Sequence, residues 1–249
     1  MKTLVNRLLR RAGLQLRRLP PRPTSPPVDP AEIAEVEQIL EAFSATQPSD
    51  DFLRDPDNLR SYLSDGRIAF FNELLRTAER LGVTLSGRRI ADLGCGPGYL
   101  LRLIDQRAEP SFLLGLDSSV ETNELARMMC PRATIMDDTI ENIDETFDVI
   151  FCTEVLEHLV DPAAALRRMV DCLAPEGALV ATVPDGRVDT HAPLAMREDG
   201  SAYWGHIHFW SPESWPLFLN ASLEEGFQVQ TMRMDWDKNL GVISRKPVV

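Results

Sequence analysis

The spacing of apolar residues changes period along the chain. Before residue 88 it is helical: Leu4, Val5, Leu8, Leu9 and Ala12 recur on one face, then Ile33, Val36, Ile39, Leu40 and Phe43 on another. A further helical stretch runs over about 58–81, is interrupted near Asp65 and Gly66, and stops at Gly82. Asp29 followed by Pro30 and Glu32 predicts the start of the second helix, because proline fits the first helical position and an acid complements the dipole there. After residue 88 short apolar runs (RRIADL, SFLLGLD, ATIMD, FDVIFC, ALVATVP) alternate with amphipathic stretches over about 99–106, 120–129 and 162–173. Strands that alternate with helices need crossover connections, so the pattern predicts a doubly wound α/β fold with a mostly parallel sheet. SPESWPLFLNASLEEG predicts a helix capped by serine, and FQVQTMRMDW with LGVISRK predicts a closing hairpin that turns at 237–239.

The segment PPRPTSPPVDP holds six prolines in eleven residues and cannot continue a helix. The chain therefore divides into a basic amphipathic segment (1–22), a proline-rich linker (23–29), a helical N-terminal cap (30–87) and the α/β domain (88–249). Charge follows that division. The first 22 residues carry seven basic residues and no acid, and the remainder is −19, for a net charge of −12. An acidic domain disfavours nucleic acid, which demands a basic surface. The basic segment reads as a peripheral contact of residues 1–19 with an anionic membrane, an organelle presequence, a solvated tail or a docked helix. The cysteines at 95, 130, 152 and 172 form no C-x-x-C pair, which fits reduced thiols and a cytoplasmic location.

Residues 90–100, IADLGCGPGYL, carry the first candidate chemistry. Glycines at 94, 96 and 98 let a backbone turn pass close to a ligand, but their spacing departs from the G-x-G-x-x-G of dinucleotide sites, with Tyr99 where the third glycine would stand. The second strand ends in Asp117, 25 residues after Asp92 and near where an acid accepts both hydroxyls of a ribose. The third ends in Asp137 and Asp138, and the fourth runs into Glu154. Carboxylates clustered at one sheet edge repel phosphate and favour a cationic or neutral polar ligand.

The stretches IADLGCGPGYLLRLI, LLGLDSS, FDVIFCTEVLEHLVDPAAALRRMVDCLAPEGALVATVPD and GHIHFWSPESWPLFLNASLEEGF resemble the class I S-adenosylmethionine-dependent methyltransferases over about residues 88–235. The last stretch resembles a subgroup that includes quinone-ring and sugar-modifying enzymes. The resemblance implies a seven-stranded Rossmann-like sheet with S-adenosylmethionine as cofactor. It implies that Asp92, Gly94, Gly96 and Gly98 border the methionine part, that Asp117 binds the ribose hydroxyls, and that Asp138, or Asp137 if the strand is one residue shorter, binds adenine. Glu154 would face the site of methyl transfer.

A hydroxyl acceptor must lose a proton, and imidazoles titrate in the right range. The four histidines are His158, His191, His206 and His208, the last three beside Tyr203, Trp204, Phe209 and Trp210. If HIHFW is extended, His206 and His208 share a side. His158 and His208 are the expected catalytic pair. Glu154, Glu157 and His158 also spell E-x-x-E-H, which with a downstream histidine offers nitrogen and oxygen ligands to a divalent ion; the preferred reading is without metal, since the same letters occur in metal-free members of the resembling family, and the plainer alternative for Glu154 and Glu157 is a pair of acids complementing a helix-start dipole. The expected function is methyl transfer to a hydroxyl of a small molecule, a sugar, glycan-lipid or quinone-type acceptor. The competing expectation is a catalytically silent cofactor-binding scaffold.

Overall fold

A computed structural model of the chain describes residues 30–46, 65–189 and 205–246, together with the single positions 48, 53 and 59. The basic segment, the linker, the Asp29 cap, His191, Tyr203 and Trp204 lie outside the described residues. The element order is α1 (Pro30–Ser44), α2 (Asp65–Arg80), β1 (Arg89–Leu93), α3 (Tyr99–Ala108), β2 (Phe112–Asp117), α4 (Val120–Met129), β3 (Thr134–Asp137) and β4 (Phe147–Thr153). Then follow a 3₁₀ turn (Leu156–His158), α5 (Pro162–Asp171), β5 (Leu173–Pro184), α6 (Ser214–Ser222), β6 (Phe227–Met234) and β7 (Lys238–Arg245).

The strands form one seven-stranded sheet in the order β3-β2-β1-β4-β5-β7-β6. β1 to β5 run parallel, and β7 lies antiparallel between β5 and β6. The chain winds outward from β1 to β3, then restarts at β4 on the other side of β1, so strand order reverses between β1 and β4. In such sheets the crevice beyond the carboxyl ends of the strands at that reversal is where ligands bind.

Each central strand is apolar on both sides because both faces of the sheet are covered. Ile90, Val149, Phe151 and Val180 join the cluster under α1 to α4, and Ala91, Leu93, Ile150, Cys152 and Leu179 join the cluster under α5 and α6. Val36, Leu40 and Phe43 of α1 belong to the first cluster, so the helices that precede the sheet share its core. Polar contacts fix the same packing: the Tyr99 hydroxyl donates to Glu32 (2.6 Å), and Arg102 pairs with Glu35 (2.5 Å). All four cysteines are buried and free.

Two predicted details shift. The last hairpin turns at 235–237 instead of 237–239, so Lys238 and Asn239 are strand residues paired with Pro184 and Val183. The turn is held by Trp236 and Asp237 in the left-handed region (φ 72° and 57°), where sequence reading looks for Gly or Asn. The last helix begins at Ser214, and Ser211 accepts from the Glu213 and Ser214 N–H groups.

Candidate active site

The turn after β1 is glycine because of what surrounds it. Gly94, Gly96 and Gly98 all have positive φ (82°, 50° and 79°). A Cβ on Gly94 would stand 2.3 Å from the Val155 side chain beyond β4, and one on Gly98 would stand 2.9 Å from Ala126 Cα in α4. The backbone thus threads between the two sides of the crevice. No side chain caps α3, which starts at once after Gly98.

Asp117 anchors the turn from the neighbouring strand. Its Oδ2 accepts from the Gly96 N–H (3.1 Å) and its Oδ1 from the Ser119 N–H (3.0 Å). A carboxylate accepts more than two hydrogen bonds, so capacity remains for a ligand's hydroxyls. Asp92, paired with Gly115 across the sheet, is buried, and its Oδ1 has no partner among the described residues. Burial, then the charge of Asp117, pushes its carboxyl up to about 8. A buried oxygen without a partner is costly, so it marks a place where a ligand donor is awaited.

Two acids stand at the β3 end. Asp137 Oδ1 accepts from Asn123 and Arg127 (both 2.9 Å), partners that tie α4 to β3. Asp138 Oδ1 accepts from Asn142 and from the Thr139 N–H in its own turn, which hold its carboxyl below the ordinary carboxylate range.

On the β4 side the backbone of Glu154 is left-handed (φ 58°), held by its N–H bond to the Thr182 carbonyl (2.9 Å). Its carboxylate accepts from the Thr182 hydroxyl (3.2 Å) and pairs with Lys238 of β7. Glu157 is fully buried in the 3₁₀ turn with neither oxygen hydrogen-bonded among the described residues, and burial, followed by the charge of Glu154, pushes its carboxyl far up.

The histidines converge here through the main chain. The Ile207 and His208 N–H groups both donate to the Glu157 carbonyl (2.9 and 3.2 Å), pinning the 205–209 segment against the 3₁₀ turn. His206 then meets His158 edge to face, with ring centroids 4.7 Å apart, and its Nδ1 lies 2.5 Å from Asp189 Oδ2. The Nε2 stands 4.0 Å from Glu157 Oε1. His158 Nδ1 lies 3.3 Å from the Gly205 carbonyl. His208 goes elsewhere: its Nε2 bonds the Leu159 carbonyl (3.0 Å) and its ring stacks on Trp210. Ligand atoms of Glu157, His158 and His206 all lie within 4.8 Å of one another, and Glu154 is not among them.

Residues 62–229 match a family model described as a methyltransferase domain. The chain belongs to that methyltransferase family. This methyltransferase chain is 32% identical over 167 residues to a ubiquinone biosynthesis O-methyltransferase of Rhodopseudomonas palustris (strain HaA2), covering 64% of each chain. It is 34% identical over 140 residues to a trans-aconitate 2-methyltransferase of Methylobacterium radiotolerans, covering 54% of each. The methyltransferase thus spans about two thirds or less of the length of these curated relatives. Among solved structures, the plantazolicin methyltransferase BpumL in complex with SAH superposes with a TM-score of 0.62 at 15% identity, covering 87% of this chain and 98% of that one. An amino pentose methyltransferase of Micromonospora echinaspora gives 0.58 at 20%, covering 76% and 97%. At such identities the superpositions establish the fold.

Asp92 yields a stability prediction. Its carboxyl titrates near 4 in the unfolded chain and at about 8 in the folded one, so folding takes up a proton between those values. The group therefore costs the ligand-free protein stability progressively as pH rises from about 4 to about 8. Asp92→Asn is expected to raise stability at pH 8 by at least about 1 kcal/mol and to change little at pH 4, read by urea denaturation. A variant less stable than wild type at pH 8 would show that the carboxylate is not the burden described.

Proposed function

We propose that the chain is an S-adenosylmethionine-dependent methyltransferase acting on a hydroxyl of a small molecule, of the sugar, glycan-lipid or quinone class. The observation that carries this is the β1 end: a glycine turn threaded through the strand-order reversal beside a buried, unpartnered Asp92 oxygen, with Asp117 tied to the same turn. Asp92 would take the cofactor's cationic methionine end, Asp117 the ribose hydroxyls and Asp138 the adenine. No phosphate-binding group is needed, which suits the acid-rich edge. The curated relatives named above, one a ubiquinone biosynthesis O-methyltransferase and one a trans-aconitate methyltransferase, support the class of reaction and a small acceptor.

The cofactor, when bound, supplies a methyl group on a sulfonium with a neutral thioether as leaving group. The protein's part is to hold the acceptor in line and to receive its proton. His206 fits the second task, because Asp189 at Nδ1 orients the ring and would stabilise an imidazolium formed there. His158 lies beside it as an acceptor contact. This gives His206 the role expected of His208, whose Nε2 serves a backbone carbonyl.

One observation favours a second reading of the same cluster. Glu157 is buried with neither oxygen hydrogen-bonded among the described residues and lies beside two imidazoles, a donor set that suits a divalent transition ion. The imidazoles would then hold the ion and orient the acceptor. A peripheral membrane contact through residues 1–19 also belongs to the proposal, supported by the seven basic residues of the first 22. No described helix is long and apolar enough to cross a membrane.

Label transfer from tritiated S-adenosylmethionine into hydroxylated acceptors is expected, and His206→Ala should reduce it by about 10²-fold or more while leaving S-adenosylhomocysteine binding intact. His208→Ala should alter it little; the reverse ranking would return the base to His208. If no acceptor from the three classes is ever labelled despite tight cofactor binding, the silent scaffold is the better account. Stoichiometric Mn²⁺ or Zn²⁺ binding that is lost in Glu157→Gln is expected for the metal reading, and absence of binding removes it. Co-sedimentation with anionic vesicles that disappears when residues 1–19 are deleted checks the membrane contact.

A further inference from the structure

Tyr99 stands where a dinucleotide turn would have its third glycine, and it is the first residue of α3. In dinucleotide folds that glycine lets helix and strand pack closely. Tyr99 instead brings a large side chain, 2% exposed. Its burial comes from the helices that precede the sheet. The ring lies near Phe71 of α2 (centroids 6.2 Å apart), and the hydroxyl donates to Glu32 Oε1 in the first turn of α1 (2.6 Å). Burial, then that bond, pushes the hydroxyl's pKa far above its ordinary value, so the group stays a donor. A hydroxyl donating to a carboxylate at this length is a charge-assisted bond, about twice as strong as a neutral one.

One turn further on, the match repeats. Arg102 pairs with Glu35 (2.5 Å) and also donates to the Met129 carbonyl at the end of α4 (3.3 Å). Residues 32 and 35 thus meet residues 99 and 102 in the same order, so α1 runs alongside α3 in the same direction and begins beside the exit of the glycine turn. The buried residues of α1 are Val36, Leu40 and Phe43, all beyond its first turn. What fastens the end of α1 nearest the crevice is therefore polar: Glu32 on Tyr99, and Glu35 on Arg102. The three glycines have no side chains with which to fix their own geometry. The turn is held in its middle by Asp117 and at its exit by the partners of Tyr99.

We infer that Tyr99 is a positioning residue for the cofactor turn, that Glu32 of α1 acts through it, and that this bond couples cofactor occupancy to the docking of α1. This rests on the methyl-transfer reading, in which the turn borders S-adenosylmethionine. The coupling acts in both directions. If docked α1 holds the turn in its cofactor-ready form, the free energy that α1 adds to cofactor binding equals the free energy that the cofactor adds to α1 docking. A helix end without buried apolar residues opens locally at low cost, and such an opening is where the linkage is read. The departure from the dinucleotide pattern at residue 99 is then what lets the N-terminal cap act on the site, since a glycine there could reach neither α1 nor α2.

Stopped-flow release of S-adenosylhomocysteine and hydrogen exchange, both on the full chain, test the proposal. Tyr99→Phe keeps the ring and removes the bond; it should speed release about tenfold, as expected for a hydrogen bond to a charged group. Glu32→Ala should do the same, and the double variant should release no faster than either single one. Glu32→Gln, whose amide oxygen accepts the same bond, should restore most of the hold. S-adenosylhomocysteine should slow exchange across Pro30–Ser44 in the wild-type chain and not in Tyr99→Phe. Release at the wild-type rate in both single variants, effects that add in the double variant, or α1 exchange indifferent to S-adenosylhomocysteine would overturn the proposal. If the variants do not fold, the exchange of α1 in the wild-type chain decides. A wild-type chain that does not bind S-adenosylhomocysteine at all would instead overturn the methyl-transfer reading beneath it.

Discussion

Everything at the catalytic edge depends on the passage of a bare backbone between Val155 and Ala126. The β1 chain end has to turn there, because the sheet reverses its order beside it, and residues with side chains would collide with either neighbour. Three left-handed glycines let the main chain through, and the Gly96 N–H is caught by Asp117 of β2. The same passage places α3 directly after the turn, where Tyr99 and Arg102 receive Glu32 and Glu35 of α1. The N-terminal helix is thereby fastened to the segment that shapes the crevice, not merely to the rear of the sheet.

The edge also shows how carboxylates divide between structure and chemistry. Asp137, Asp185 and Glu154 are engaged by arginine or lysine partners. Asp92 and Glu157 are buried with oxygens that no described protein group satisfies, and burial raises both carboxyls. Such groups reduce stability unless something binds them, which is the usual trade at a functional site. The two orphaned acids lie on opposite sides of the strand-order reversal, one in β1 and one in the turn after β4 that carries His158. A two-substrate reaction has that requirement: one ligand held on each side, meeting across the crevice.

The sheet was legible in the sequence because its signals are local. Strands buried on both faces are continuous apolar runs, and helices such as Val120–Met129 appear with the bounds their periodicity indicates. The positions of the glycine turn, Asp117 and Asp138 at strand ends were legible for the same reason. What depended on distant partners was not. The surroundings of His206 come from Asp189, 17 positions earlier, and from the turn at Glu157, 49 positions earlier, which spacing does not reveal. The burial of Glu157 against the 205–209 segment leaves no mark in its own neighbourhood in the sequence. The place of Lys238 was hidden by a turn whose left-handed residues are not glycine or asparagine; Asp185, just after β5, holds that turn by donating its N–H to the Asp237 carbonyl and accepting from Arg233 of β6.

The central claim is that the β1 turn with its acids is built for a sulfonium nucleoside and not for a dinucleotide. Isothermal titration of the full chain with S-adenosylhomocysteine and, separately, with NAD⁺ tests that most directly. The account predicts one-to-one binding of S-adenosylhomocysteine, abolished by Asp117→Ala in a protein that remains folded, and no heat with NAD⁺. Binding of NAD⁺ with S-adenosylhomocysteine silent, or S-adenosylhomocysteine binding indifferent to Asp117→Ala, would contradict it.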